Sequence, residues 1–250
     1  MSQPRSGAPA LSALREEVCE ANRSIVRAGL VRLSFGNASG VDRSAGVMLI
    51  KPSGIDYDAL RPADLVAVSL DDGRPIGSEL RPSSDSPTHL ALYRRFREIG
   101  GVVHTHSIEA TAWAQAGRAI PALGTTHADH FYGPIPVTRQ LTGAEIGGDY
   151  EVATGEVIIE TLERAGYGPL DMPAVLVASH GPFTWGASAS EAVENAIALE
   201  AVAAMATRSL LIDSAAAVLQ AALLERHHAR KHGPGAYYGQ VAPPSRGNDG

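Results

Sequence analysis

His104 and His106 stand one residue apart in Val102-Val103-His104-Thr105-His106, a run that reads as a buried strand. Side chains i and i+2 of a strand point to one face, so the spacing places two imidazoles roughly 6–7 Å apart, within reach of one metal ion. With 9 histidines in 250 residues, about 0.3 such pairs arise by chance, so the pair gains weight only from its context. A second apolar run, Ala174 to Ala178, ends in Ser179-His180-Gly181, and α/β folds gather their sites at strand ends. Three histidines at strand ends plus a carboxylate would make a zinc-like site. Asp85, directly before Ser86-Pro87, is the carboxylate candidate. Against these readings stand a plain charge complement to a helix N-terminus for Asp85 and backbone-bonded core imidazoles for the two histidines. His89 reads as packing or as a partner behind the ligands.

Three small polar segments, Gly36-Asn37-Ala38-Ser39, Lys51-Pro52-Ser53-Gly54 and Pro82-Ser83-Ser84, offer N–H groups and hydroxyls without bulk, which suits a phosphate if they converge in space. Separately, each reads as a turn. Lys51, one of only two lysines, could supply the charge. In Thr125-Thr126-His127-Ala128-Asp129-His130, Asp129 could be a general acid/base or simply a cap. The run from His227 to His232, followed by Tyr237-Tyr238, reads by itself as a solvated basic end.

The elements that must position these residues are legible in part. Leu11, Leu14, Val18, Ala21, Ile25 and Val26 recur at helical spacing up to a stop at Gly29. Val47–Ile50 and Leu65–Leu70 read as antiparallel strands, the second closed by Asp71-Asp72-Gly73. Ser86-Pro87 opens a helix that stops before Gly100-Gly101. Helices are also expected over Ile108–Ala116, Glu156–Arg164, Val193–Leu211 (with Ser188 and Glu191 as a capping box) and Ala215–His228. Without a linker or repeat, the chain reads as one α/β domain with a central mixed or antiparallel sheet flanked by helices. Its expected bounds are a flexible 1–10, a domain over 11–240 and a disordered tail over 241–250.

Composition narrows the function classes. The chain is 44% hydrophobic and 19% charged, with net charge −6 and a single cysteine, Cys19. One thiol cannot form an internal bridge, which fits a reducing compartment, and cytoplasmic localisation is expected. The N-terminus shows no apolar segment of a secretory signal, and no run of 18 apolar residues suggests a membrane span. Acidic balance and 5% aromatic content argue against a nucleic-acid partner.

Taken in order, Gly36-Asn37-Ala38-Ser39, Lys51-Pro52-Ser53-Gly54, Ser83-Ser84-Asp85-Ser86-Pro87-Thr88-His89, His104-Thr105-His106, Thr125-Thr126-His127-Ala128-Asp129, Ser179-His180-Gly181-Pro182-Phe183 and Ala236-Tyr237-Tyr238-Gly239-Gln240 closely resemble the class II aldolase/adducin family, and within it the L-ribulose-5-phosphate 4-epimerases. The resemblance spans roughly residues 11–240. It implies a three-layer α/β fold and one divalent metal, zinc first with manganese or cobalt as alternatives, on Asp85, His104, His106 and His180. It implies that Gly36, Asn37, Lys51, Ser53, Gly54, Ser83, Ser84 and Thr125 bind a sugar phosphate, that Asp129 and Tyr238 form an acid/base pair, and that His227 assists. It further implies a homotetramer whose active sites lie between subunits. The activity implied is conversion of L-ribulose 5-phosphate to D-xylulose 5-phosphate by retroaldol cleavage and re-addition. A sugar-phosphate aldolase is the alternative, and a non-enzymatic scaffold like the adducin head is another, although that would predict a broken metal set. The chain departs from the pattern at His130, where an aromatic tyrosine is expected, at Ile108 and Glu109, which replace a more basic pair, and at Pro234-Gly235. These bear on sugar specificity.

Overall fold

Alternation of side chains along the strands decides the layering, because successive residues of a strand face opposite sides of the sheet. A computed structural model describes residues 8–232 and 236. After helix α1 (Ala8–Arg27), which begins ahead of the expected boundary at residue 11, come strands β1 (Gly36–Asp42), β2 (Val47–Ile50), β3 (Val66–Ser69) and β4 (Pro75–Ile76). Helix α2 (Ser86–Arg95) precedes β5 (Gly101–Thr105), and α3 (Ile108–Gln115), α4 (Thr125–Ala128), α5 (Gly143–Gly147) and α6 (Tyr150–Ala165) follow. Strands β6 (Ala174–Val177) and β7 (Gly181–Gly186) and helices α7 (Ala189–Ile212) and α8 (Ala221–Lys231) complete the order. The seven strands form one sheet in the order β4-β3-β2-β1-β5-β7-β6, with every neighbouring pair antiparallel.

Met48, Ile50, Val66, Val68 and Val102 join one core with residues of α2, α3 and α6. The intervening Leu49, Ala67 and Val103 join a second core with α1 and the start of α7. Helices therefore cover both faces. That is why Val102-Val103 reads as a continuous apolar run rather than an alternation. Helix α7 is long and apolar enough by length and composition to cross a membrane, but it packs on β5 and β7. Its Glu200 carboxylate accepts bonds from the N–H groups of Glu109 and Ala110 at the start of α3, both at 2.9 Å.

Several elements differ from the reading of the sequence for identifiable reasons. Gly36–Ser39, legible only as a turn, begins the central strand β1. Its small residues permit close packing: a Cβ on Gly40 would lie 2.7 Å from Val18 Cγ2 and 2.9 Å from Leu14 Cδ1. Helix α6 starts at Tyr150 rather than Glu156 because Gly155, which weakens a helical pattern, is where α2 presses on it; a Cβ there would meet Ala91 Cβ at 2.6 Å. Helix α8 begins at Ala221, since Asp213 Oδ1 accepts a bond from Ala215 N–H at 2.9 Å and forms a turn that competes with helix.

A very close approach lies where α7 begins. A Cβ on Gly101 would fall 2.4 Å from Cα and N of Ala189 and from the carbonyl oxygen of Ser188. Gly101→Ala is expected to lower the unfolding free energy by at least roughly 1–3 kcal/mol, the cost of overpacking a filled core. A urea midpoint equal to that of the wild type would contradict this contact.

Candidate metal centre

Strand register brings the centre together. Asn37 on β1 pairs with His104 on β5, and His104 pairs in turn with Phe183 on β7, so three adjacent strands carry one row of side chains. His106 follows the end of β5. His180 sits in the tight β6–β7 connection, where Ser179 adopts a left-handed φ of 61°. Ring centroids of the three histidines are 4.7 to 5.1 Å apart, and one donor atom from each lies within 4.8 Å of the others. Gly181 lets β7 approach the end of β5, since a Cβ there would stand 2.9 Å from the Thr105 carbonyl oxygen.

The hydrogen bonds decide which nitrogen each ring presents. His104 Nδ1–H donates to the Pro182 carbonyl at 2.9 Å, so its Nε2 is a bare donor atom, 3.1 Å from His106 Nε2. Two nitrogens on one tetrahedral zinc stand about 3.3 Å apart, given Zn–N bonds of about 2.0–2.1 Å. His180 Nδ1 meets the Tyr150 hydroxyl at 3.3 Å, which turns its Nε2 inward. Burial pushes the His104 imidazole down to about 3, against the opposing pull of Asp85, and burial likewise lowers His106 and His180. At neutral pH no proton competes for these nitrogens. The donor set fits a divalent ion.

Asp85 occupies the N-cap position of α2 but makes no side-chain capping bond. Its carboxylate is instead held by Asn37, whose Nδ2–H donates to Oδ2 at 2.6 Å. Burial acts to raise the Asp85 carboxyl, yet the imidazoles of His104 and His89 and the Asn37 amide outweigh it, and the net shift is downward. Ser86 is the first residue of the helix. Behind the centre, Ser39 Oγ lies 2.7 Å from His89 Nδ1 and 2.8 Å from the Tyr93 hydroxyl.

In front of the histidines opens a cleft of about 450 Å³ lined by Gly36, Asn37, Lys51, Ser53, Gly54, Ser83, Ser84 and Asp85 as well as His104, His106 and His180. The three small polar segments thus converge. Two backbone bonds tie the Lys51 and Ser83 stretches together, Ser53 N–H to Arg81 O at 2.9 Å and Ser83 N–H to Lys51 O at 3.0 Å, and Asn37 Nδ2–H donates to Ser83 Oγ at 3.1 Å. Lys51 is 5% exposed, with Nζ donating to Pro52 O at 3.2 Å and lying 4.6 Å above the Tyr57 ring. Burial lowers its ammonium despite the nearby Asp56. Asn37 Oδ1 is buried with no partner among the described residues, so a ligand hydroxyl could satisfy it.

Thr125, Asp129 and His227 do not line this cleft. Thr125 opens α4 and Asp129 closes it, and His227 reaches Asp129 from α8, with Nδ1 at 3.0 Å from Oδ1. Tyr238 lies outside the described residues. Two site residues escaped the sequence reading. Phe35 stacks on His106 at a centroid distance of 5.8 Å, and only its adjacency to Gly36 could have signalled it. Tyr150 lies thirty positions from His180, and nothing local marks it.

Comparison with known proteins places this geometry. The chain superposes on L-fuculose 1-phosphate aldolase with a TM-score of 0.72 at 23% identity, covering 86% of this chain and 94% of that one. It also superposes on YgbL from Escherichia coli, to which an aldolase, epimerase or decarboxylase activity is ascribed, with a TM-score of 0.69 at 27% identity over 87% and 98% of the two chains. The L-fuculose-1-phosphate aldolase of Thermus thermophilus gives 0.62 at 22% identity over 82% and 98%. Residues 16–207 match the family model described as the class II aldolase and adducin N-terminal domain, and it is to this family that the chain belongs.

Proposed function

We propose that the protein inverts C4 of L-ribulose 5-phosphate, giving D-xylulose 5-phosphate, by breaking and remaking the C3–C4 bond. The observation that carries this reading is the meeting in one cleft of three histidines and Asp85 with Lys51 and the three small polar segments. Asp85, His104, His106 and His180 would hold one divalent ion per chain, zinc by donor type, with manganese or cobalt accepted by the same set. Bound there, the ion supplies Lewis-acid stabilisation of the negative charge that develops on the sugar oxygens.

Lys51, Ser53, Gly54, Ser83 and Ser84 grip the phosphate, with Gly36 and Asn37 beside it. One of Asp129 and Tyr238 takes the proton of the C4 hydroxyl as the C3–C4 electron pair returns to the C2–C3 fragment. The tethered aldehyde turns its other face, the bond re-forms, and the second group protonates the new C4 oxygen. The phosphate grip thus decides between epimerisation and release of the aldehyde. Asp129, with Thr125 and His227 near it, and Tyr238 would enter from a neighbouring copy in a homotetramer. In support, Asp129 and His227 are absent from the cleft of their own chain.

The test is to follow L-ribulose 5-phosphate with the zinc-loaded protein and detect D-xylulose 5-phosphate by a coupled assay. Accumulation of free aldehyde phosphate would instead identify a sugar-phosphate aldolase, and no turnover of either kind would remove the reading. Lys51→Met is expected to raise KM roughly 10–100-fold, the worth of a charged hydrogen bond to phosphate, while metal content stays that of the wild type. An unchanged KM would take Lys51 out of the phosphate site.

A further inference from the structure

We infer that Arg230 is a positioning residue for the acid/base arm: its guanidinium clamps the Asp129 carboxylate and so fixes how α8 docks on the domain. This deepens the proposed function and rests on it for the role of Asp129. The clamp is bidentate, with Nε donating to Oδ1 at 2.9 Å and Nη2 to Oδ2 at 2.5 Å. Asp129 is 9% exposed. His227 shares Oδ1 from one turn earlier on the same face of α8, and His232 Nε2 meets the Asp129 carbonyl oxygen at 3.0 Å.

What makes the clamp decisive is how little apolar burial holds the helix. Among its eleven residues α8 has no buried side chain; it packs on the single turn of α4, with His228 against the Tyr132 ring at a centroid distance of 5.0 Å and Lys231 Nζ 3.5 Å from His130 Nε2. Apolar burial therefore contributes little to its docking, and a planar two-point pair fixes both position and rotation in a way that a lysine point charge would not. The pair also defines the protonation state. Burial acts to raise the Asp129 carboxyl, but the bonds from Arg230 and His227 outweigh it and hold it low. A docked Asp129 is thus an anion at neutral pH, able to accept a proton, and the proton to be donated belongs to its partner.

The experiment is hydrogen–deuterium exchange across residues 221–232 of the full-length zinc-loaded protein, in wild type, Arg230→Gln, Asp129→Asn and the double variant, with turnover of L-ribulose 5-phosphate measured beside it. Each single variant is expected to exchange about 10–100-fold faster in α8, the loss of one charged bond pair, and the double variant no faster than either. Arg230→Gln should lower kcat on the order of 10²-fold through misplacement of the arm, with KM and zinc content retained. It should also move the acid limb of the kcat profile upward as Asp129 keeps, among the described residues, His227 and Lys231 from α8, His232 just after it, and His127 and His130 from its own segment as titratable neighbours. Arg230→Lys should recover part of both losses. Unchanged exchange in Arg230→Gln, additive effects in the double variant, or loosened exchange with unaltered kcat would each overturn the inference. If the wild type turns over no sugar phosphate, the functional reading fails and the exchange data still decide the clamp.

Discussion

Replacing His106 by asparagine is expected to abolish turnover, by 10³-fold or more as an order of magnitude, and to strip the protein of its metal while leaving it folded. An outer partner of a metal ligand is worth about 10–100-fold in affinity, and the loss of a ligand itself exceeds that. His106 is the informative member of the triad. It is half-buried past the end of β5, its ring rests on Phe35, and its one ring hydrogen-bond partner among the described residues is His104. His104, by contrast, is bonded to Pro182 and stacked on Phe183 at 4.2 Å, so its removal would damage the core as well as the centre. Elemental analysis after gel filtration, circular dichroism and the coupled assay measure the three parts. Wild-type zinc content in His106→Asn would remove the proposed ligand set.

The metal-stripped protein is expected to lose stability steeply on mild acidification. Burial holds His89 near 4 and His104 near 3, whereas in the unfolded chain both titrate near 6.5. Between those values the unfolded state binds two protons that the native state refuses. The stabilisation is therefore complete above about pH 6.5 and falls away as pH drops toward 4 and 3, with a limiting slope of about 2.7 kcal/mol per pH unit. The downward shift of Asp85 adds a loss of the same sign at lower pH. Two pH units below 6.5 remove about 5 kcal/mol at most, a third or more of a total of roughly 5–15 kcal/mol. Urea midpoints at pH 7.5, 6.0 and 5.0 in the presence of chelator measure this, and His89→Gln should flatten the dependence toward half. Equal midpoints across that range would show that the two imidazoles are not held neutral.

The three clustered histidines were visible because each sits at the end of an apolar strand, where the change from apolar to polar is local in sequence. Helix α1 and strands β2, β3, β5 and β6 were legible for the same reason: both cores leave a periodic or continuous apolar imprint on neighbouring residues. The small polar segments of the cleft were visible only as three separate turns. Their union depends on the pairing of β1 with β5 and on the bonds from Ser53 to Arg81 and from Ser83 to Lys51, contacts between residues far apart in the chain. The central strand β1 itself was hidden, because Gly36, Ala38 and Gly40 are small where helix α1 and strand β5 come close, and smallness carries no strand signal.

By itself, then, the sequence determined which residues could bind metal and phosphate, the apolar periodicities that make a layered α/β domain, and the family likeness carried by the order of the motifs. Only the tertiary structure decided that Asp85 turns from its helix to Asn37, that His180 is oriented by Tyr150, and that Asp129 is bound by Arg230 and stands apart from the cleft. The physical reason is the same in each case. Residue type and spacing record what a side chain can do within its own helix or strand, whereas its partner is chosen by the packing of elements that are distant in sequence and adjacent in space.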